Sequence, residues 1–398
     1  MSHAPSATLR RRHQLVREAT ARHDVDALVV TSRSNITYLT NFTGSSAIAV
    51  LTPDRIHFIT DFRYVTEVES QQQAAHACPG LELVRVDGSY DGTLATLAAS
   101  LDAGRIGFEA SHVTVSRHAW LTAALAGKPA LVPTEHLIER IRVRKDGYEL
   151  ETIREGARRL SEVALGAFEE IKLGRTERDI ALAIDSRIRR AGFERPAFDT
   201  IVASGPQSAL PHANPGERTL SENDLVVLDF GGAYDSYCVD LTRTVVVGRA
   251  SDRAREVHAA VLEAHDRAIR TVGPGRSRFA IDAAARDWLT GCGLGQAFGH
   301  GTGHGLGIDI HEDPRITRRS GAAAGAGSDA DPEVDPGDPG DPGDDDADDD
   351  AVAAGMVFTI EPGAYLPGWG GVRIEDDVLV TEHGVELLTN VTTDLLEL

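Results

Sequence analysis

The stretch LVVLDFGGAYDSYCVDLTRTVVV, residues 225–247, predicts two β-strands joined by a tight turn. Apolar and β-branched residues fill both arms, as in strands with a buried face. An unbulged hairpin turning at Tyr234-Asp235 would place Asp229 opposite Asp240, with Cβ atoms about 5 Å apart. Two like charges this close destabilise a fold unless a cation lies between them. The stretch therefore indicates a cation site, and the alternative is a solvated turn followed by an edge-strand aspartate.

A second pair of acids is arranged in the same way near the C-terminus. The segments TIEPG (359–363) and GVRIEDD (371–377) flank the turn-rich Pro367-Gly368-Trp369-Gly370-Gly371. Glu361 and Glu375 are equally far from Gly368, so a hairpin centred there would place these two carboxylates opposite each other.

The region between residues 146 and 398 repeats weakly with an offset of 101 residues. Gly174-Arg175-Thr176 recurs as Gly275-Arg276-Ser277, and helix ends are predicted at both Gly192 and Gly293. Each half then consists of two helices followed by β structure. Apart from an acidic insertion, the two hairpins occupy equivalent places in the halves. Four acids that converge on such an internal pseudo-twofold are hard to explain without metal.

Between the hairpins runs GHGTGHGLG, residues 299–307, followed by His311. Its alternating glycines exclude a helix, so His300 and His304 are not a helical zinc pair. Glycine instead allows the backbone to approach a ligand closely. A flexible loop is the alternative. His212, judged by spacing alone, is an ordinary loop histidine.

The length of 398 residues and the pattern of segments predict two domains. Residues 1–138 alternate helix-like and strand-like segments, which indicates an α/β domain. Residues 139–398 carry the helix pairs and hairpins and form an α+β domain.

The net charge of −21 is concentrated in one segment. Residues 321–354 hold twelve acids and no base, and without them the charge would be −9. This composition predicts a disordered insertion over residues 320–354, since it has few apolar residues to offset chain ordering. The balance also argues against nucleic-acid binding, which needs a basic face.

Cysteine usage and hydropathy favour a cytoplasmic protein. Cys78, Cys238 and Cys292 are odd in number and widely spaced, so neither a disulfide framework nor a CxxC zinc site is expected. No apolar run approaches the roughly 18–20 residues of a membrane span. Charged residues interrupt any secretory signal at the N-terminus.

These motifs strongly resemble those of the pita-bread metallopeptidases, a family that includes aminopeptidase P, prolidase and methionine aminopeptidase. The matching segments cover essentially the whole chain outside the insertion: ASGPQSALPHA (203–213), LDFGGAYDSYCVDLTRT (228–244), GHGTGHGLGIDIHEDP (299–314), FTIEPGAY (358–365) and GVRIEDD (371–377). NITYLTNFTG (35–44) and TDFRY (60–64) are similar to the creatinase/prolidase N-terminal domain, which methionine aminopeptidases lack.

The resemblance implies a dinuclear metal centre. Its ligands would be Asp229, Asp240, His304, Glu361 and Glu375. Four carboxylates and one imidazole, without thiolate, suit Mn²⁺ best, with Co²⁺, Fe²⁺ or Zn²⁺ also compatible.

The remaining motif residues are expected on the substrate side: His212, His300, His311, Arg373 and Tyr365. The resemblance and the chemistry of such centres suggest a metal-bridged hydroxide as nucleophile, with Glu361 as general base. His300 and His311 would donate to the oxyanion, with His212 also placed among the catalytic residues. Arg373 would orient a metal ligand or meet a substrate carboxylate.

The resemblance implies hydrolysis of the bond before a proline in second position, by a homodimer. An Xaa-Pro dipeptidase and an Xaa-Pro aminopeptidase remain equally compatible with the sequence. The alternatives are a non-peptide amide hydrolase of the same fold, of creatine or ectoine type, and a catalytically silent scaffold.

Overall fold

The computed structural model describes residues 3–319 and 350–398. Its chain separates into two compact units, Met1–Arg142 and Val143–Leu398. The division lies after the short helix Glu139–Arg142, whereas the predicted boundary at 138/139 lies before this helix. The reason is that Arg142 is anchored in the first unit, where its Nη1 donates to Asn35 Oδ1 at 2.7 Å.

The first unit is a six-stranded sheet with helices, and its strands lie in the order β4-β3-β2-β1-β5-β6. Neighbouring strands are parallel except where β2 pairs with β1 and β3. The strands are β1 Ala27–Val30, β2 Ile48–Leu51, β3 Ile56–Thr60, β4 Leu81–Arg85, β5 Arg105–Glu109 and β6 Ala130–Thr134. The helices are α1 Ser6–Arg22, α2 Arg33–Thr40, α3 Phe62–Gln71, α4 Tyr90–Ser100, α5 Val115–Ala124 and α6 Glu139–Arg142.

The described residues of the second unit form two helix pairs and three sheets. The helices are α7 Gly147–Phe168, α8 Glu177–Arg190, α9 Asp252–Thr271 and α10 Arg278–Gly291. The strands are β7 Arg195–Pro196, β8 Ile201–Ser204, β9 Leu225–Tyr234, β10 Tyr237–Val246, β11 Gly303–Gly305, β12 Glu312–Ile316, β13 Val357–Ile360, β14 Gly363–Leu366, β15 Gly370–Arg373, β16 Asp376–Thr381 and β17 Gly384–Leu387. One sheet has the order β10-β9-β7 with β8 also on β9, another β12-β11-β13-β16-β17, and β14 pairs with β15. Within the described ranges, no helix is both long and apolar enough to cross a membrane.

The second helix of each half of this unit begins in the same way, as the weak repeat predicts. Thr176 and Ser277 are the N-caps of α8 and α10, and each side chain accepts a backbone N–H of the first helical turn. The preceding Gly174 and Gly275 have φ angles of +80° and +79°, a conformation that favours glycine. Thr176 forms an isolated β-bridge with Thr219. Ser277 forms one with Ala351, which follows the acidic segment. The internal pseudo-twofold is therefore present in the fold.

The first hairpin forms, but its predicted register is wrong by two residues. Asp229 faces Thr242, and Asp240 faces Gly231. The turn consists of Asp235 and Ser236, both at positive φ (48° and 72°), which is the pattern of a type I′ turn. Because side chains alternate with a period of two, a two-residue shift leaves both acids on the same face of the hairpin.

The predicted register of the second hairpin is confirmed. Gly363 pairs with Arg373 in β14 and β15, and Ile360 pairs with Asp376 in β13 and β16. Both pairings follow the same register, and they lie on either side of Glu361 and Glu375. These two residues therefore face each other. The turn at Gly368 has a φ of +78°.

The predicted insertion extends too far at its C-terminal end. Residues 320–349 lie outside the described residues, and the described chain resumes at Asp350. Ala351 forms a β-bridge with Ser277, and Val352 is 1% exposed and donates its N–H to the Arg276 carbonyl. Val352 packs into the apolar core of this half, which fixes the chain there.

Candidate metal centre

Three buried side chains from separate elements meet in the second unit. One ligand atom each from Asp240, His304 and Glu375 lies within 4.8 Å of the others. Asp240 comes from β10, His304 from β11, and Glu375 from the link between β15 and β16. Glu361 joins them, because its Oε1 is 3.4 Å from His304 Nε2.

The protonation of His304 follows from its backbone contact. Its Nδ1 lies 3.0 Å from the Gly305 carbonyl oxygen, which can only accept, so the hydrogen is on Nδ1. Burial, together with the charge of His311, lowers the pKa of His304 to about 3, so the ring is neutral. The lone pair of Nε2 therefore points at a carboxylate oxygen of Glu361. That contact is repulsive unless a cation lies between the two atoms.

The buried carboxylates also make one another's charged forms less favourable. Burial raises the pKa of Asp240 well above its ordinary value, and the charges of Glu375 and Asp229 raise it further. Burial likewise raises the pKa of Glu375, reinforced by Glu361 and Asp229. Among the residues that the structure describes, buried Asp229 Oδ1 has no hydrogen-bond partner. A divalent cation would relieve each of these features, so the residues fit the metal that the motifs imply.

Arg373 donates hydrogen bonds to three side chains of the surrounding protein. Its Nη2 donates to Asp229 Oδ2 at 2.5 Å, its Nη1 to Tyr365 Oη at 2.7 Å, and its Nε to Thr242 Oγ1 at 3.3 Å. The residue is 4% exposed. Of the two roles considered for it, this geometry favours the orientation of Asp229 over the binding of a substrate carboxylate.

His300 and Tyr365 continue this chain of hydrogen bonds. His300 Nδ1 lies 2.8 Å from the Gly301 carbonyl oxygen, which can only accept, so Nδ1 carries a hydrogen. Its Nε2 lies 2.9 Å from Tyr365 Oη, within hydrogen-bond distance. His300 therefore contacts Tyr365, and its expected role as a donor to the substrate stays a prediction.

The other two histidines occupy different environments. The ring of His311 packs edge-on against that of His304, with centroids 4.4 Å apart. His212 is exposed, in the turn after the 3₁₀-helix Gly205–Ala209. The carbonyl of the preceding Pro211 lies 3.4 Å from Arg373 Nη1, so the chain at this turn passes beside the centre.

Two threonines that sequence reasoning did not select also belong to the site. Thr242 Oγ1 donates to Glu375 Oε2 at 2.6 Å. Thr359 Oγ1 accepts the N–H of His304 at 3.1 Å and donates to Glu361 Oε1 at 3.0 Å. Each threonine lies two residues from a predicted ligand, on the same side of its strand, and this alternation was an available signal.

Comparison with known proteins identifies the family. The model of Metallopeptidase family M24 matches residues 151–382, and that of the Creatinase/Prolidase N-terminal domain matches residues 12–144. The chain belongs to metallopeptidase family M24. The resemblance to the pita-bread enzymes, and the fold expected from it, are confirmed.

Relatives and solved structures agree with this assignment. An uncharacterized peptidase of Bacillus subtilis, YqhT, is 35% identical over 376 residues, which are 94% of this chain and 96% of that protein. The structure of an Xaa-Pro dipeptidase from Bacillus anthracis has a TM-score of 0.86 at 32% identity, covering 98% of this chain and 100% of that one. An X-Pro aminopeptidase from Thermotoga maritima has a TM-score of 0.81 at 30% identity, with coverages of 96% and 100%.

The raised pKa values predict how the metal-free M24 protein responds to pH. Folded Asp240 and Glu375 hold protons that the unfolded chain has released, so the free energy of unfolding should fall as pH rises above about 4. The slope should reach at most about 1.4 kcal/mol per pH unit for each group. Urea unfolding in EDTA between pH 5 and 8 would measure it.

The substitution D240N should flatten this dependence, whereas D199N, at an exposed aspartate, should leave it unchanged. With Mn²⁺ the sign should reverse, since metal ligands must be deprotonated. Metal-free stability that rises with pH by the same slope in wild type and D240N would contradict the proposed electrostatics.

Proposed function

We propose that this chain is a metal-dependent exopeptidase that hydrolyses the peptide bond before a proline in second position. The observation that carries the proposal is the convergence of Asp240, His304 and Glu375, with the neutral imidazole directed at a further carboxylate. The similarity over nearly full length to proteins named Xaa-Pro dipeptidase and X-Pro aminopeptidase supports the choice of substrate.

Five side chains would hold two divalent ions: Asp229, Asp240, His304, Glu361 and Glu375. The donor set is rich in carboxylate oxygen and has no thiolate, so we propose Mn²⁺ as the metal, with Co²⁺, Fe²⁺ and Zn²⁺ as competitors. When bound, the ions would supply Lewis-acid activation of a water and of the scissile carbonyl.

Glu361 is the general base in this proposal. Its Oε1 is held by the Thr359 hydroxyl, which fixes the carboxylate beside His304. It would accept a proton from the attacking water and deliver that proton to the proline nitrogen as the C–N bond breaks. The same carboxylate would thus serve both halves of the reaction.

The donor to the carbonyl oxygen in the transition state would be His311, which packs against His304. His300, Tyr365 and Arg373 form a continuous series of hydrogen bonds that ends on Asp229. Through this series the protein would keep Asp229 oriented. His212, on the exposed turn beside the site, would contact the substrate.

Assembly and location are proposed on narrower grounds. A homodimer follows from the resemblance to the pita-bread enzymes. A cytoplasmic location is consistent with Cys78, Cys238 and Cys292, which are all free thiols.

We propose an Xaa-Pro dipeptide as the main substrate, because the Bacillus anthracis dipeptidase matches at the higher TM-score. The match to the Thermotoga maritima enzyme supports longer peptides as the second candidate. With Mn²⁺ present, kcat/KM for Ala-Pro should exceed that for Ala-Pro-Pro, and Pro-Ala should not be hydrolysed. Faster cleavage of Ala-Pro-Pro would favour the aminopeptidase, and equal cleavage of Pro-Ala would contradict proline specificity.

The substitution E361Q should lower kcat by about 10²–10⁴-fold, because glutamine keeps the shape of the side chain but cannot accept the water proton. Turnover should be measured at saturating Mn²⁺ together with bound metal, so that loss of the base is separated from loss of a ligand. The control E382Q, at an exposed glutamate, should behave as wild type. A metal-loaded E361Q enzyme with unchanged kcat would exclude Glu361 as the base.

A further inference from the structure

Two acids directly after Glu375 have no part in the proposed reaction, although both are completely buried. Asp376 and Asp377 are each 0% exposed. Adjacent residues of a strand point to opposite faces, and these two diverge accordingly. Asp376 is compensated by Arg243 Nη2 at 2.7 Å and by His265 Nε2 at 3.1 Å. Asp377 lies on the other face and meets the main chain of Asp240.

The contact between Asp377 and Asp240 completes an edge of a sheet. Strand β10 is the end strand in the order β10-β9-β7, so its outward N–H and C=O groups need partners from elsewhere. The Thr242 carbonyl accepts the N–H of Glu375 at 3.1 Å. Two residues earlier, the N–H of Asp240 donates to Asp377 Oδ2 at 3.0 Å. Here a carboxylate takes the place of a backbone acceptor.

This hydrogen bond ties the main chain of one predicted metal ligand, Asp240, to a residue that lies close in sequence to another, Glu375. Asp240 and Glu375 belong to different halves of the repeat, and their carboxylates must meet at one centre. Asp377 lies two residues beyond Glu375 and holds the backbone nitrogen of Asp240. Its other oxygen, Oδ1, is buried and has no hydrogen-bond partner in the described part of the chain. A buried oxygen without a partner lowers the free energy of unfolding, so an acid at this position destabilises the fold. A residue with only a structural role would not need that acid.

We propose that Asp377 is a positioning residue of the metal centre, whose carboxylate holds the main chain of Asp240 so that this ligand faces Glu375. The proposal rests on the metal centre under "Proposed function". It assigns Asp377 no contact with metal or substrate.

The test compares two variants of the same shape, D377N and D377L. Asparagine keeps an oxygen that can accept the Asp240 N–H, and leucine does not. After removal of metal with EDTA, Mn²⁺ binding is measured by isothermal titration calorimetry, and the unfolding midpoint of each metal-free protein by urea. D377N should bind within about twofold of wild type, and D377L at least about tenfold more weakly.

A merely structural residue would shift the metal-free unfolding midpoint and leave the affinity of the folded protein unchanged. Wild-type affinity in D377L would therefore overturn the proposal, as would D377N binding as weakly as D377L. Should D377L not fold, D377V provides a smaller variant that also lacks the acceptor. If the wild-type protein itself bound no Mn²⁺, the metal centre would fail, and that result is distinct from a failure of Asp377 alone.

Discussion

The second unit is arranged around buried carboxylates that repel one another, and the polypeptide alone does not offset this repulsion. Buried carboxylates of Asp240, Glu361 and Glu375 converge on one another and on the lone pair of a neutral imidazole, His304. Burial makes each charge more costly, and every neighbour among the acids adds repulsion. Within the described ranges, Asp229 has one oxygen paired with an arginine and the other without a hydrogen-bond partner. Divalent cations turn all of these contacts from unfavourable to favourable, and that is why we assign the site a metal.

The rest of the unit holds the acids in place despite this repulsion. The two hairpins set the acids at defined positions, and glycines allow strands to pass closely, since a Cβ at Gly303 would overlap the Thr359 carbonyl. Hydroxyls of Thr242 and Thr359 fix individual carboxylate oxygens. Metal affinity in this account depends on backbone and hydroxyl contacts as much as on the ligands.

Much of this architecture was predictable because it is local. Runs of apolar and β-branched residues predicted the strands, and Gly192 and Gly293 predicted helix ends. The symmetric turn around Gly368 predicted the correct register of the second hairpin. The first register was missed because its turn residues, Asp235 and Ser236, adopt positive φ without the Asn-Gly signal that usually marks such a turn. The end of the acidic segment was missed because its anchors, the bridge from Ala351 to Ser277 and the burial of Val352, involve residues distant in the sequence.

The site was predictable only in part. Motif resemblance selected the candidate ligands, but the contacts that orient them join residues far apart in the chain. Asp377 and Asp240 are 137 positions apart, and Thr242 and Glu375 are 133 apart. No spacing rule reaches across such distances. The direction in which His304 presents its lone pair depends on the Gly305 carbonyl, which only the folded chain positions.

The position of the bound metal tests the proposed centre most directly. A crystal grown with saturating Mn²⁺ and measured at the manganese absorption edge would locate the ions by anomalous scattering. We expect two peaks about 3.5–4 Å apart, bound by Asp229, Asp240, His304, Glu361 and Glu375. The absence of anomalous density among these five side chains would contradict the account.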